Sequence, residues 1–296
     1  MDDGVQIESV TAAIPVPRQA ASDAHLIALW LHNRSAHTQR AYRADADRFL
    51  LHSGRPLQAV TLGALQDFAD SLAAAGLEPA SRGRTLAAVK SLLAFGHRLG
   101  YLPFDVGRAL KLPPRREGLA ARILEETDVQ RMLALEGHPR NRVLLRLLYA
   151  SGIRVAEICA LCWRDVRPRD GGAGQIAVWG KGSKERAILL PASVYQDLLA
   201  LRRGASDDVP VFRSRKGGGP LDTSQVLRIV RAAATRAGIA AKVSPHWLRH
   251  SHATHALERQ APIHLVAATL GHSSVATTGK YLHARPSDSS ARYLVV

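Results

Sequence analysis

Two segments near the C-terminal end of the 296-residue chain collect residue types that together can handle a phosphate. The first is Ser244-Pro245-His246-Trp247-Leu248-Arg249-His250-Ser251-His252. Proline suits the first turn of a helix, where its missing N–H costs nothing. His246 and Arg249, spaced i,i+3, then project from one helical face. Arginine offers a planar fork to two phosphate oxygens, and histidine moves a proton near neutral pH. By itself the segment reads first as a solvated basic helix start. The second segment is Leu270-Gly271-His272-Ser273-Ser274, followed by Thr277-Thr278-Gly279-Lys280-Tyr281. Gly271 ends one helix and Ser273 or Ser274 caps the next, so His272 falls at a helix N-terminus, where anions bind. Tyr281, about two turns further on, can attack a phosphate and store the bond energy in an ester. Alone, it reads as a half-buried packing residue.

Two other clusters invite a metal reading and do not sustain it. Cys159-x-x-Cys162 supplies two ligands where structural zinc takes four, and the pair is expected inside an apolar helix as small buried residues. His250, His252 and His255 have no carboxylate or cysteine set beside them. No metal and no cofactor are expected. Two cysteines also exclude a disulfide framework.

The elements that position these residues follow from periodicity and punctuation. Residues 1–24 form a mixed lead with Pro15 and Pro17. Four helices are expected between 25 and 112. The first carries Leu26, Leu29 and Trp30. The second is capped by Thr38, carries Tyr42, Phe49 and Leu50, and ends at Gly54. The third carries Leu65, Phe68 and Leu72 and closes at Gly76. The fourth carries Leu86, Val89, Leu92, Leu93 and His97 and closes at Gly100. The prolines, charges and glycine of Leu112-Pro113-Pro114-Arg115-Arg116-Glu117-Gly118 read as an interdomain linker, 113–122. A second domain, 123–296, is expected to open with a capped helix at Thr127-Asp128 running to Leu135. An apolar helix from Arg142 to Ala150 and a helix carrying Arg154, Glu157 and Leu161 follow. Two short strands, Gln175 to Trp179 and Ala187 to Leu190, are joined through Gly180-Lys181-Gly182-Ser183-Lys184-Glu185. Helices then cover Trp247 to Glu258, Ile263 to Leu270 and Ser274 to Leu282. The fold class is mainly α, with one small antiparallel sheet.

Charge is distributed unevenly. Lys and Arg number 40 against 25 Asp and Glu, a formal net of +15. Residues 1–112 carry 12 cations and 10 anions; residues 113–296 carry 28 and 15. Such asymmetry favours a polyanion partner for the second half, because cations that meet phosphates release condensed counterions. A compositional bias toward Arg, 33 of the 40 cations, reads the same excess blandly. Apolar runs are broken well before the length that spans a bilayer, and Met1-Asp2-Asp3 opens no secretory signal. A cytosolic, nucleoid-associated protein is the expectation.

Gly152-Ile153-Arg154-Val155-Ala156-Glu157-Ile158, the Gly180-Lys181-Gly182 turn, His246-x-x-Arg249, Leu270-Gly271-His272 and Tyr281 occur in the signature order of the tyrosine recombinase (phage integrase) family. The chain resembles its compact, Xer-like members over nearly its whole length. Thr38-x-x-x-Tyr42 and Ser81-Arg82-Gly83-Arg84 resemble the family's SAM-like, helical core-binding domain. The resemblance implies a role for each matching residue. Arg154 and Arg249 match the two arginines that grip the scissile phosphate, and His272 matches the histidine that assists them. His246 matches the residue thought to accept the nucleophile's proton. Tyr281 matches the nucleophile that becomes a 3′-phosphotyrosine, and Lys181 the lysine that protonates the 5′-oxygen leaving group. Glu157 stands where the family has an acid and reads as an orienter of Arg154 or of the histidines. Arg40, Arg43, Arg82, Arg84 and Lys90 in the first domain are expected to position DNA. Lys184 and Arg186 read as backbone contacts or as a solvated hairpin.

The implied function is site-specific recombination of double-stranded DNA at inverted-repeat core sites. It proceeds through a Holliday junction, with four protomers gathered on two sites and the domains closing as a C-shaped clamp. Whether a second, heteromeric recombinase takes part stays open. The tail after Tyr281 is short for docking into a neighbouring protomer, and no arm-binding domain is read before residue 24. Two rivals remain. One is a type IB topoisomerase-like nicking and resealing enzyme. The other is a non-catalytic regulator, since Ile263 to Tyr281, with its Gly271 turn, superficially resembles a helix-turn-helix.

Overall fold

The computed structural model describes residues 19–114, 118–180, 185–215 and 217–284. The chain divides between Arg116 and Glu117 into two compact units, so the stretch expected as a linker is shared between them.

The first unit is a helical bundle of α1 (Asp23–Leu31), α2 (Ala36–Ser53), α3 (Leu62–Ala74) and α4 (Pro79–Arg98). The apolar stripes converge on one core containing Leu26, Trp30, Phe49, Leu65, Phe68, Leu92 and Leu93. Phe49 and Phe68 meet edge to face with centroids 5.1 Å apart, a favoured aromatic geometry. Helix α2 stops at Gly54, whose φ of +60° supplies the left-handed cap. Two details differ from expectation. Ser35, not Thr38, caps α2, and its hydroxyl accepts from the Thr38 N–H. His97 is exposed, and Gly96 takes the buried place one residue earlier, with Leu102 and Leu26 packed where a Cβ would stand.

The second unit contains α5 (Glu126–Ala134), α6 (Pro139–Ser151), α7 (Val155–Ala160), β1 (Val166–Pro168), β2 (Gly174–Trp179), β3 (Glu185–Leu190), α8 (Ala192–Leu199), α9 (Thr223–Arg236), α10 (Pro245–Glu258), α11 (Ile263–Leu270) and α12 (Val275–Ala284). The sheet runs β1-β2-β3, antiparallel throughout, with Val178 opposite Arg186 and Trp179 opposite Glu185. Strand β1 escapes the sequence because three residues ending in Pro168 show no alternation; it survives as an edge pairing. Helix α6 buries Leu144, Leu145, Leu147 and Leu148 together. Its other side is polar, with Arg142 exposed and Arg146 paired with Asp197, and each buried leucine is worth roughly 1.5–3 kcal/mol of burial. Helix α5 begins at Glu126 behind Glu125, with no capping hydroxyl from Thr127. Cys159 lies in α7, but Cys162 lies outside it, bridged to Pro210.

Helix α10 packs against α6, α11 and α12. That arrangement brings the two sequence segments face to face. Ser251 Oγ of α10 accepts from the Leu124 N–H at 2.9 Å, and Leu119 packs against the apolar cluster of Ala253, Val266, Leu270 and Tyr281, so the chain entering this unit also braces the site.

Candidate active site

The site is built on two glycine-closed helix ends, a helix opened by proline and the return of α12 against it. Gly152 (φ +58°) closes α6 and turns the chain into Arg154, the N-cap residue of α7. Any side chain at Gly152 would stand 2.7 Å from His252 Cδ2 and Leu270 Cδ2. Gly271 (φ +64°) closes α11 in the same way, with Arg186 packed 3.1 Å from the place of its missing Cβ. Pro245 opens α10, and α12 then carries Tyr281 back against it.

Arg249 is 5% exposed, and its Nη1 donates to the Gly152 carbonyl at 2.5 Å while Nη2 donates to the Leu270 carbonyl at 2.6 Å. No carboxylate among the described residues bonds it. Burial, then the neighbouring Arg154, pulls its pKa down to about 10. A guanidinium held this way is a desolvated cation short of an anion. Arg154, more exposed, donates from Nη2 to the Gly271 carbonyl at 3.2 Å and from Nη1 to Glu157 Oε1 at 2.8 Å. Glu157 also accepts from the Arg154 backbone N–H at 2.9 Å, closing the first turn of α7.

His272 sits where its two nitrogens have distinct partners. Nε2 lies 3.3 Å from Arg249 Nη2, which has only protons to give. Nε2 is therefore the acceptor, and Nδ1 carries the proton it donates to Thr278 Oγ1 at 2.8 Å. Burial, then Arg249, Arg154 and Arg186, pulls His272 down to about 4, which keeps it neutral. The ring stacks on Tyr281, centroids 6.4 Å apart and planes 5° from parallel. Tyr281 is 6% exposed, and burial raises its pKa against the opposing pull of Arg249, so the phenol rests protonated.

Among the described residues, the structure thus gathers Arg154, Glu157, Arg249, His272 and Tyr281 in one cluster. His246 shares the α10 face, its ring stacked 6.4 Å from that of His250. It keeps an exposed edge, yet desolvation of the rest of the ring, then Arg249 and Arg154, hold it below its ordinary value. Lys181 and Lys184 lie outside the described residues.

Sequence reasoning missed three participants. His250 Nδ1 lies 3.0 Å from the Tyr281 hydroxyl; its i+4 spacing from His246 was the available signal. Thr278 is fully buried and fixes the His272 tautomer. Arg186 is the third and corrects an expectation. It is no open backbone contact: its side chain is 13% exposed, bidentate on Glu157 and bonded from Nε to the Thr269 carbonyl at 3.0 Å. The histidines considered as a metal cluster, His250, His252 and His255, also part company. His252 Nδ1 faces the Tyr149 carbonyl at 2.8 Å, and His255 Nδ1 the Tyr149 hydroxyl at 2.9 Å.

In the first unit, Arg40 and Arg43 are exposed on α2. Arg84 forms a two-pronged ion pair with buried Asp45, its side chain half exposed. Lys90, partly buried, donates to the Leu110 carbonyl, which ties α4 to the segment leaving the bundle. Arg82 is partly buried.

Comparison with known proteins places this cluster in context. The sequence profile of the phage integrase family matches residues 122–288, and that of the phage integrase N-terminal SAM-like domain matches residues 23–100. The chain is 36% identical over 269 residues to tyrosine recombinase XerC of Mycobacterium tuberculosis, covering 84% of this chain and 89% of that one. It shares its fold with the XerH site-specific recombinase bound to difH substrate. There the TM-score is 0.66, with 22% identity over 89% of this chain and 82% of the other. A lambda integrase dimer bound to a COC′ core site gives a TM-score of 0.72, with 18% identity over 90% of this chain and 95% of the other.

Proposed function

Because the chain belongs to the phage integrase family of tyrosine recombinases, we propose that it breaks and rejoins DNA through a bond between Tyr281 and a 3′-phosphate. The observation that carries this reading is the meeting of Tyr281 with Arg249 through His272, at one end of a buried, anion-deficient guanidinium.

The chemistry follows from the parts. A scissile phosphate seated on Arg154 and Arg249 supplies the missing anion. The two forks then stabilise the extra charge that develops at the pentacoordinate phosphorus. Carbonyls of Gly152 and Leu270 pre-set the Arg249 fork, and Glu157 pre-sets Arg154, so little reorganisation accompanies attack. The Tyr281 oxygen displaces the 5′-oxygen, and Lys181 protonates that leaving group. The ester conserves the bond energy, and the reverse step rejoins a new 5′-hydroxyl. Exchange between two duplexes needs two pairs of cuts made in turn, which calls for four protomers on two inverted-repeat sites and a junction between the cuts. The basic excess of the second unit supplies phosphate contacts, with Arg40 and Arg43 adding positioning from the first.

The test is covalent capture. Nicked duplexes with a randomised core are incubated with the protein, denatured and washed, and protein-linked DNA is sequenced. A single enriched inverted repeat is the expected result. Recovery of no linked DNA, alongside sequence-specific binding in a mobility-shift assay, would instead favour a non-catalytic regulator.

A further inference from the structure

Tyr281 Oη has a partner that the expected roles leave out. His250 Nδ1 stands 3.0 Å away, within the reach required of a general base. Its ring centroid lies 5.7 Å from that of Tyr281. His246 lies one turn earlier on α10, and its ring meets His250 rather than the phenol. From this geometry we infer that His250, not His246, accepts the proton of the Tyr281 hydroxyl during strand cleavage. The inference rests on the reading of Tyr281 as nucleophile.

The step balances within the site. As the Tyr281 oxygen bonds to phosphorus, its proton passes to His250 Nδ1. The bond from phosphorus to the 5′-oxygen breaks, and that oxygen takes a proton from a separate donor. Rejoining runs the same transfers backwards, with His250 returning its proton to the phenol.

The groups facing His250 explain how it is held ready. His246 and Arg249 flank it on α10, Arg122 faces it from the segment before α5, His272 from the turn before α12, and Tyr281 from α12 itself. Burial first, then His246, Arg249, Arg122 and His272, brings its pKa down to about 4. The ring is therefore neutral, and the proposed transfer requires the tautomer with Nδ1 as acceptor and Nε2 protonated. Such a base is weak until an anion arrives. A phosphate on Arg249 offsets one of the charges that depress it and raises its basicity only when substrate is present. His246, at the exposed mouth, is left to face the phosphate.

Two experiments decide the matter. The first needs no DNA. Nitrogen-15 NMR of the wild-type protein should show His250 protonated on Nε2, and Tyr281→Phe should shift its Nδ1 resonance toward that of an unbonded acceptor. A protonated Nδ1, or an Nδ1 signal that Tyr281→Phe leaves unmoved, overturns the inference. The second follows covalent cleavage of the captured duplex against pH. Wild type should rise with pH as His250 loses its proton and then level off. His250→Asn should cleave about 10²–10⁴-fold more slowly at neutral pH. Its logarithmic rate should climb one unit per pH unit as hydroxide replaces the lost base. His246→Asn should keep the levelling curve. A levelling curve in His250→Asn, or its loss in His246→Asn, overturns the inference while leaving Tyr281 as nucleophile. Adduct that persists in Tyr281→Phe overturns both.

Discussion

Arg186 on β3 donates both Nη groups to the two carboxylate oxygens of Glu157 on α7, at 2.9 and 2.7 Å, and its Nε to the carbonyl of Thr269 near the end of α11. One side chain thereby ties the sheet, the helix that presents Arg154 and the turn that presents His272. Removing it leaves Glu157, 7% exposed, with Arg154 as its remaining side-chain partner. Arg186→Gln should lower stability by about 1–3 kcal/mol, the cost of lost hydrogen bonds to a buried carboxylate that keeps one cationic partner. Urea unfolding measures it.

Glu157 also sets an acid limit. Burial alone would raise its pKa, but the hydrogen bonds from Arg186 and from the Arg154 backbone and side chain outweigh that and hold it below the ordinary carboxylate value. Its stabilising contribution is then fully present above that ordinary value and is lost as pH falls through the lower folded one. Wild type and Glu157→Gln should differ most in urea midpoint near neutrality and converge below about pH 4. Parallel curves throughout would show that the carboxylate charge contributes nothing.

Tyr281→Phe should abolish covalent adduct on the captured duplex and leave its binding nearly unchanged. The substitution removes one hydroxyl and keeps the ring stacked on His272. Gel analysis of denatured complexes reads the adduct, and a mobility shift reads the binding. Retained adduct would move the nucleophile elsewhere, with Tyr293 the next residue to test.

Arg154→Lys and Arg249→Lys should each slow cleavage by about 10²–10³-fold, since an ammonium cannot reproduce a planar fork. Arg249→Lys should cost the more stability, because the Gly152 and Leu270 carbonyls both lose their donor. Single-turnover cleavage and thermal melts separate the two effects. A near-normal rate in either variant would reduce that residue to a binding contact.

Lys181→Ala should regain cleavage on a substrate whose 5′-bridging oxygen is replaced by sulfur, a leaving group that needs no proton. Rescue of Lys184→Ala in place of Lys181→Ala would exchange the two assignments.

Gly152→Ala should destabilise by roughly 1–3 kcal/mol. It places a Cβ 2.7 Å from His252 and Leu270 at a positive φ. It should also slow cleavage by displacing the carbonyl that sets Arg249. An unaltered urea midpoint would show that the turn relaxes freely.

Local order was legible in the sequence wherever a property depends on near neighbours along the chain. Apolar periodicity marked the helices, Gly54, Gly152 and Gly271 marked their ends, and the order of short motifs placed Arg154, Arg249, His272 and Tyr281 in one family's pattern. A three-residue edge strand carries too few positions to show a period, and β1 went unseen. Partnership across the chain was decided only by the tertiary structure. Arg186 looked like any hairpin cation until β3 was laid against α7 and α11, where burial made its charge need Glu157. His250 looked like one of four histidines on a helix until α12 crossed α10 and put a phenol against its Nδ1. Hydrogen bonds and ion pairs reward distances of about 3 Å, and residues that far apart in sequence come within such reach only once the core has packed.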